Sequence, residues 1–358
     1  MTQEAELGAP RRAASPMSFS VDGWDPSYGA SLELEGQLEE STARIDAGVE
    51  LPVDSWRPID PDPSGPLPEA LLFVDGVRRV EAQVWIDGDP SSRTGQAGEA
   101  KEDGEPTAAL CASYAAGVVC CCAAGAHLVV AKLRRGLFSV APHVSDILTR
   151  AGGYKAHHVT VKRAGAPVMT ALSQSLQARL ADVEKIAATE ARGLSGDAVP
   201  APGGHPAESD SDLLIVDGPL RGRERLPRAL GYIKTHHATY LPPELNALVG
   251  TLAPGQRTPA FLMGTSWDRH SWYLRLPGPV GAPWSGVVRI ECRADLSMAE
   301  VTSLAGLSQR SLGRFASATY KDSRAPQNLY PIAGLERELR RRLGDPRLLY
   351  RALRQAAR

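Results

Sequence analysis

Apolar runs of strand length punctuate the chain, and two of them end alike. Leu71-Leu72-Phe73-Val74 leads into Asp75-Gly76, and Leu213-Leu214-Ile215-Val216 leads into Asp217-Gly218. Runs of this kind bounded by a turn signal predict buried strands, and each glycine permits a sharp exit that leaves an aspartate at the strand end. Residues 79–86 alternate apolar and polar, which predicts a half-exposed second strand in an antiparallel hairpin with the first. Further strands are predicted over 109–119 and 126–133. From Met169 to Ala191 the period lengthens. Leu172, Leu176, Leu180, Val183 and Ala187 recur at three and four, the buried face of a helix. Strands then recur at 260–263, 271–276 and 286–292, and helices are predicted over 35–45, 296–307 and 332–357.

Polar stretches rich in Gly, Pro and Ser separate these elements. Residues 1–66, with isolated aromatics at Phe19, Trp24, Tyr28 and Trp56, predict an extended N-terminal arm, partly disordered, around one α/β domain over 67–358. A chain of 358 residues has ample material for a core. Lys plus Arg (40) nearly cancels Asp plus Glu (41), so net charge selects no partner, but its distribution does. Acids dominate 33–50 and arginines 337–358, an asymmetry that suits an anionic partner or a solvated helix face near the C-terminal segment. The five cysteines, Cys111, Cys120, Cys121, Cys122 and Cys292, lack C-x-x-C spacing, and no signal peptide is read. They predict buried thiols in a reducing cytoplasm. The apolar stretch 108–130 has the length of a membrane span but reads better as two buried strands, so no membrane is expected.

A buried carboxylate is costly unless paired. Two at the ends of core strands therefore point to a divalent cation held by hard oxygen ligands, with a pair of ordinary Asp-Gly turns as the alternative. On the helix that follows, Glu184 sits beside core Val183, and Glu190 lies nearer the end; Glu81 is a weaker fourth acid. Lys234, within Gly231-Tyr232-Ile233-Lys234, suits a phosphate or developing negative charge. The adjacent His236 and His237 cannot share a face of a helix or strand, which argues against both being metal ligands. Tyr320, Lys321, Arg324 and Tyr330 interleave aromatics and cations, a pattern that suits stacking on bases and pairing with phosphates.

Taken in order, the Val-Asp-Gly strand, the long helix with Glu, Val216-Asp217-Gly218-Pro219-Leu220, Gly231-Tyr232-Ile233-Lys234, Val287-Val288-Arg289-Ile290-Glu291 and Tyr330-Pro331 resemble the NurA nuclease family, from Leu71 to the C-terminus. The resemblance implies a ribonuclease H-like fold, a mixed central sheet flanked by helices. It also implies manganese-dependent cleavage of DNA in end processing and repair, a homodimer, and a hexameric HerA-type translocase as partner. Carried over by motif, the catalytic residues are Asp75, Asp217, Tyr330 and Glu184, with Glu190 open as the helix acid. Where the family has a histidine one or two turns beyond Tyr-Pro, this chain reads Leu335-Glu336-Arg337-Glu338 and has no histidine after His270. Either another residue, Glu338, serves in its place, a harder carboxylate that favours Mg²⁺ over Mn²⁺, or this branch is impaired or altered in activity.

The expectation is a metal-dependent deoxyribonuclease, acting as an exonuclease, a single-strand endonuclease or both. Asp75, Glu184 and Asp217 bind Mn²⁺ or Mg²⁺, and Lys234 offsets transition-state charge. Arg78, Arg79, Arg221, Arg223, Lys321 and Arg324 hold the DNA without reading its sequence. A catalytically weak adaptor docked on the translocase is the alternative, and a metal-dependent hydrolase of small substrates is the third reading.

Overall fold

The structure is a computed structural model that describes residues 39–40, 43–87, 106–161, 167–193, 212–236, 238–278 and 283–357. Most of the predicted arm, the 88–105 and 194–211 loops and His237 lie outside the described residues. In chain order the strands and helices are β1 (Glu39–Glu40), β2 (Arg44–Asp46), β3 (Ala70–Ile86), β4 (Thr107–Cys122), β5 (Gly125–Ser139), β6 (Ile147–Thr149), β7 (Gly152–His158), α1 (Val168–Ala191), β8 (Asp212–Asp217) and β9 (Ala229–Ile233). They continue with β10 (Ala238–Thr239), α2 (Pro243–Thr251), β11 (Phe261–Gly264), β12 (Asp268–Arg275), β13 (Val287–Arg293), α3 (Met298–Leu312), α4 (Tyr330–Arg342) and α5 (Pro346–Ala356).

Among the described residues, eleven strands form one mixed sheet in the order β2-β11-β12-β13-β9-β8-β3-β4-β5-β7-β6. Its centre is an antiparallel meander, β3-β4-β5, after which α1 crosses over so that β8 runs parallel to β3 and β9 parallel to β8. The remaining strands on the β9 side are antiparallel.

Side chains on a strand alternate between faces, and that alternation decides the site. Leu72, Val74, Leu214 and Val216 pack under α1 with Leu172, Leu176, Leu180 and Val183. Leu71, Phe73, Val77, Leu213 and Ile215 pack on the opposite face, under α3 and α4, with Ile332, Leu335 and Leu339. Asp75 and Asp217 share the parity of the second set. They therefore project on the α4 face.

Three predicted elements differ. The expected hairpin near Gly76 is one unbroken 17-residue strand, paired with β4 from Ala70 to Ile86. Gly76 is there for packing, since a Cβ on it would lie 2.5 Å from Glu184 Oε1 and 2.7 Å from Leu180 Cδ1. Gly76→Ala should cost about 1–3 kcal/mol, read as a lower urea midpoint with unchanged slope; an unchanged midpoint would show that α1 does not press on β3 there. Of the helix expected over 35–45, the described residues 39–40 and 44–45 are strand instead, β2 gaining a partner at the sheet edge with Ile45 opposite Met263. The C-terminal helix is two helices, broken at Gly344 (φ 88°) and restarted by Asp345, whose carboxylate accepts from the Arg347 and Leu348 amides. The stretch 108–130 is the β4-β5 hairpin, and among the described residues no helix is long and apolar enough to cross a membrane.

Candidate metal centre

Asp75 lies mid-strand in β3 and is 8% exposed. Asp217 ends β8, where Gly218 turns away with φ 107° and exchanges backbone hydrogen bonds with Tyr232. Glu336, 8% exposed, comes down from α4 onto the same face. One carboxylate oxygen from each of the three lies within 4.8 Å of the others. The cluster opens into a cleft of about 870 Å³, also lined by Glu184, Lys234, Arg78, Arg221 and Arg340.

Each acid is held differently. Lys234 Nζ donates to Asp217 Oδ2 at 2.5 Å and to Asn328 Oδ1 at 3.2 Å. Arg324 grips Glu336 through two parallel bonds of 2.9 Å, and Arg340 approaches at 3.6 Å. Asp322 ties these supports together, accepting from Asn328 Nδ2 at 2.6 Å and from the Arg324 amide at 2.8 Å. Among the described residues no cation pairs with Asp75 in this way. Its Oδ1 accepts from the Gly76 amide at 2.7 Å, and its buried Oδ2 has no partner among the described residues. Burial, first, and then the charge of Asp217 push the Asp75 carboxyl well above the usual carboxylate range; Lys234 opposes this, and Glu336 and Glu184 add to it. An all-oxygen donor set with an unsatisfied buried oxygen and clustered negative charge fits a hard divalent cation.

The structure brings Asp75, Asp217 and Lys234 together, and it supplies Glu336 rather than Glu184 as the third converging acid. Glu184 reaches the cleft from α1, across the sheet from α4. Its carboxylate is paired with Arg223, which also donates to the Pro219 carbonyl at 3.0 Å. Arg223 is thus a buried structural partner rather than an exposed phosphate contact. Burial, chiefly, pushes Glu184 up to about 7, with the Asp217 charge adding and Arg223 opposing.

That shift has a sign. A glutamate with an ordinary value of 4.5 in the unfolded chain and about 7 in the folded one binds more protons when folded, so stability falls as pH rises between those values and is flat below them. Without divalent cations, unfolding free energy should drop by on the order of 3 kcal/mol across this window. Glu184→Gln should flatten much of that slope in urea titrations at several pH values; an unchanged slope would remove Glu184 from the cause.

Other candidates lie elsewhere. Glu190 pairs with Lys132 at 2.5 Å. Glu81 is bound by Arg79, which also donates to the Gly344 carbonyl at 2.9 Å, so Arg79 is committed to the α4–α5 junction. Glu338 pairs with Arg341 and Arg342 on the outer side of α4, away from the cluster. Tyr330, at the first turn of α4, accepts from the Ala318 amide at 3.1 Å and does not line the cleft. Lys321 stands 5.4 Å from the Tyr320 ring and 5.6 Å from that of Tyr330, also outside the cleft lining. Arg324 lines the cleft but is spent on Glu336. Arg78 and Arg221 are exposed on the rim, Arg78 touching Ser173 Oγ at 3.1 Å. Below them, Glu291 accepts from the Leu220 amide at 2.8 Å and is flanked by Arg289 and Arg269, which anchors the segment after Asp217. His236 contacts the Val287 carbonyl at 3.0 Å.

The sequence matches no protein-family model, and no curated protein matches it. Among solved structures, the crystal structure of the NurA nuclease from Sulfolobus solfataricus is similar, with a TM-score of 0.39 and 9% sequence identity over 80% of this chain and 84% of that one. A similarity of this size carries no functional weight.

Proposed function

We propose that this chain is a metal-dependent nuclease that hydrolyses DNA phosphodiesters at the Asp75, Asp217 and Glu336 cluster. The observation that carries the reading is the convergence of three carboxylate oxygens within 4.8 Å, one of them on a buried carboxyl whose Oδ2 has no partner among the described residues, inside an open cleft rimmed by arginines. The meander, the crossover helix and the parallel β8 and β9 support a ribonuclease H-like reading of the fold.

Asp75, Asp217 and Glu336 would hold Mn²⁺ or Mg²⁺. A bound divalent cation would lower the pKa of a water and offset charge on the scissile phosphate. The chain's own residues do the rest. Arg324 fixes the Glu336 carboxylate with a bidentate grip, so its oxygens stay aimed at the aspartates. Asn328 and Asp217 fix the Lys234 ammonium at the cleft wall, a charge already in place for negative oxygens in the transition state. Glu184, near 7, holds or releases a proton within the cleft at neutral pH. Arg78 and Arg221 neutralise flanking phosphates, which gives affinity without base recognition.

The test is incubation of the purified chain with single- and double-stranded DNA, and with a small aryl phosphodiester, in Mn²⁺, Mg²⁺ or EDTA. Cleavage of DNA that needs the cation and exceeds that of the small ester supports the reading. Cleavage of the small ester alone transfers it to a small-substrate hydrolase, and DNA binding without cleavage transfers it to an adaptor. The same reading carries a homodimer and a HerA-type translocase as partners, tested by light scattering and co-elution.

A further inference from the structure

The turn of the β4-β5 hairpin carries a second cluster of ligand atoms, remote in chemistry from the acidic one. Cys120 and Cys122, two apart on β4, share a face, while Cys121 between them packs on the opposite one. The ladder slips beside them. Val118 lies opposite Val130 but Val119 opposite Leu128, so Cys120 faces His127 rather than Leu128. Residues opposite each other on paired strands point to the same side. The bulge therefore turns His127 onto the face of the two thiols, where regular pairing would have put it beside Cys121.

One ligand atom from each of Cys120, Cys122 and His127 lies within 4.8 Å of the others. Nε2 of His127 is buried with no partner among the described residues, and Cys122 Sγ makes a 3.9 Å contact with the Gly125 carbonyl. Cys120 is fully buried, while Cys122 and His127 are half-buried at the turn and reachable from solvent.

We propose that Cys120, Cys122 and His127 bind a zinc ion, with a fourth position open to water, as a cross-link between β4 and β5 at their turn. Two thiolates and an imidazole are a softer set than the carboxylates around Asp75, and they suit Zn²⁺ rather than Mg²⁺ or Mn²⁺. Burial, then the neighbouring Cys122, push the Cys120 thiol up to about 12. Binding replaces S–H bonds by S–Zn bonds and passes one proton from each thiol to solvent, with no change of oxidation state.

The full-length protein, stripped by a chelator, is titrated with Co²⁺ as a spectroscopic probe and then with Zn²⁺. One equivalent of Co²⁺ should give thiolate-to-cobalt absorption in the near ultraviolet, release protons into a weakly buffered solution, and be displaced by Zn²⁺. The absorption should persist in Asp75→Asn and Cys121→Ser and disappear in Cys122→Ser and in His127→Ala. Cys122 and His127 sit at a half-exposed turn, and far-ultraviolet circular dichroism checks each fold; if either substitution unfolds the chain, the other decides. Absence of the absorption in the unsubstituted protein overturns the proposal, as does its full retention in the folded Cys122 or His127 variant.

Discussion

Asp75→Asn is expected to lower DNA cleavage by about 10³-fold, or ~4 kcal/mol of activation free energy, while leaving the metal-free protein at least as stable as the parent. These outcomes have one cause. Asp75 is 8% exposed, its Oδ2 has no partner among the described residues, and it faces the charges of Asp217 and Glu336. Without a cation it must keep a proton or carry a buried charge against like charges, and a neutral amide of the same shape avoids both. With a cation the order reverses. A ligand at 100 times its Kd stabilises the folded state by about 2.7 kcal/mol, an upward shift of several degrees in Tm for a chain of this size. Asp75→Asn should lose that shift. Differential scanning fluorimetry in EDTA and in Mn²⁺, beside the cleavage assay, reads both arms. A variant that keeps the Mn²⁺ shift and its activity would sink the metal centre.

The aspartates were legible in the sequence because strand periodicity is short and local. What singled them out was their matching place at the ends of two apolar runs; their common face, Asp75 with Leu71 and Phe73 and Asp217 with Leu213 and Ile215, became visible only once the sheet set the two strands side by side. Which helix covers that face is a long-range property. The nearest helix in sequence, carrying Glu184, packs on the other side, and the covering helix comes more than a hundred residues after β8. A signal for Glu336 existed all the same. Ile332, Leu335, Leu339 and Leu343 form a helical apolar stripe, and Glu336 falls inside it, an acid where the pattern calls for a core residue.

The Val-Asp-Gly motif misled in one place for a related reason. Gly218 is a turn with positive φ, whereas Gly76 is a gap in a continuous strand into which Glu184 and Leu180 fit, and the letters alone do not distinguish these uses. Strand boundaries also stretched, with β4 and β5 reaching beyond 109–119 and 126–133 because each pairs along nearly the full length of its neighbour. The helix expected from Met169 to Ala191 matches α1 (Val168–Ala191), since its stripe is both local and buried.

Glu336→Gln and Glu338→Gln separate the covering helix's two acids, and their expected outcomes are opposite. Two residues along an α-helix is a rotation of roughly 200°, so when Glu336 joins Ile332 and Leu335 against the sheet, Glu338 must face outward. There it pairs with Arg341 and Arg342, and its replacement should leave cleavage, metal response and Tm unchanged. Glu336→Gln keeps the shape but removes the charge that faces Asp75 and Asp217 and that Arg324 grips. Cleavage should fall by about 10²- to 10³-fold, in proportion to ~3–4 kcal/mol of lost transition-state stabilisation. The Mn²⁺-dependent rise in Tm should shrink with it. Some loss of metal-free stability is expected as well, because Arg324 loses its bidentate carboxylate partner and keeps the longer 3.4 Å pair with Asp322. The metal-dependent difference in Tm, rather than Tm itself, is therefore the deciding readout. Glu336→Asp, which keeps the charge one methylene short, should recover part of that difference. Full activity in Glu336→Gln with loss in Glu338→Gln would return the third acid to the outer side of the helix and break the link between sheet parity and site.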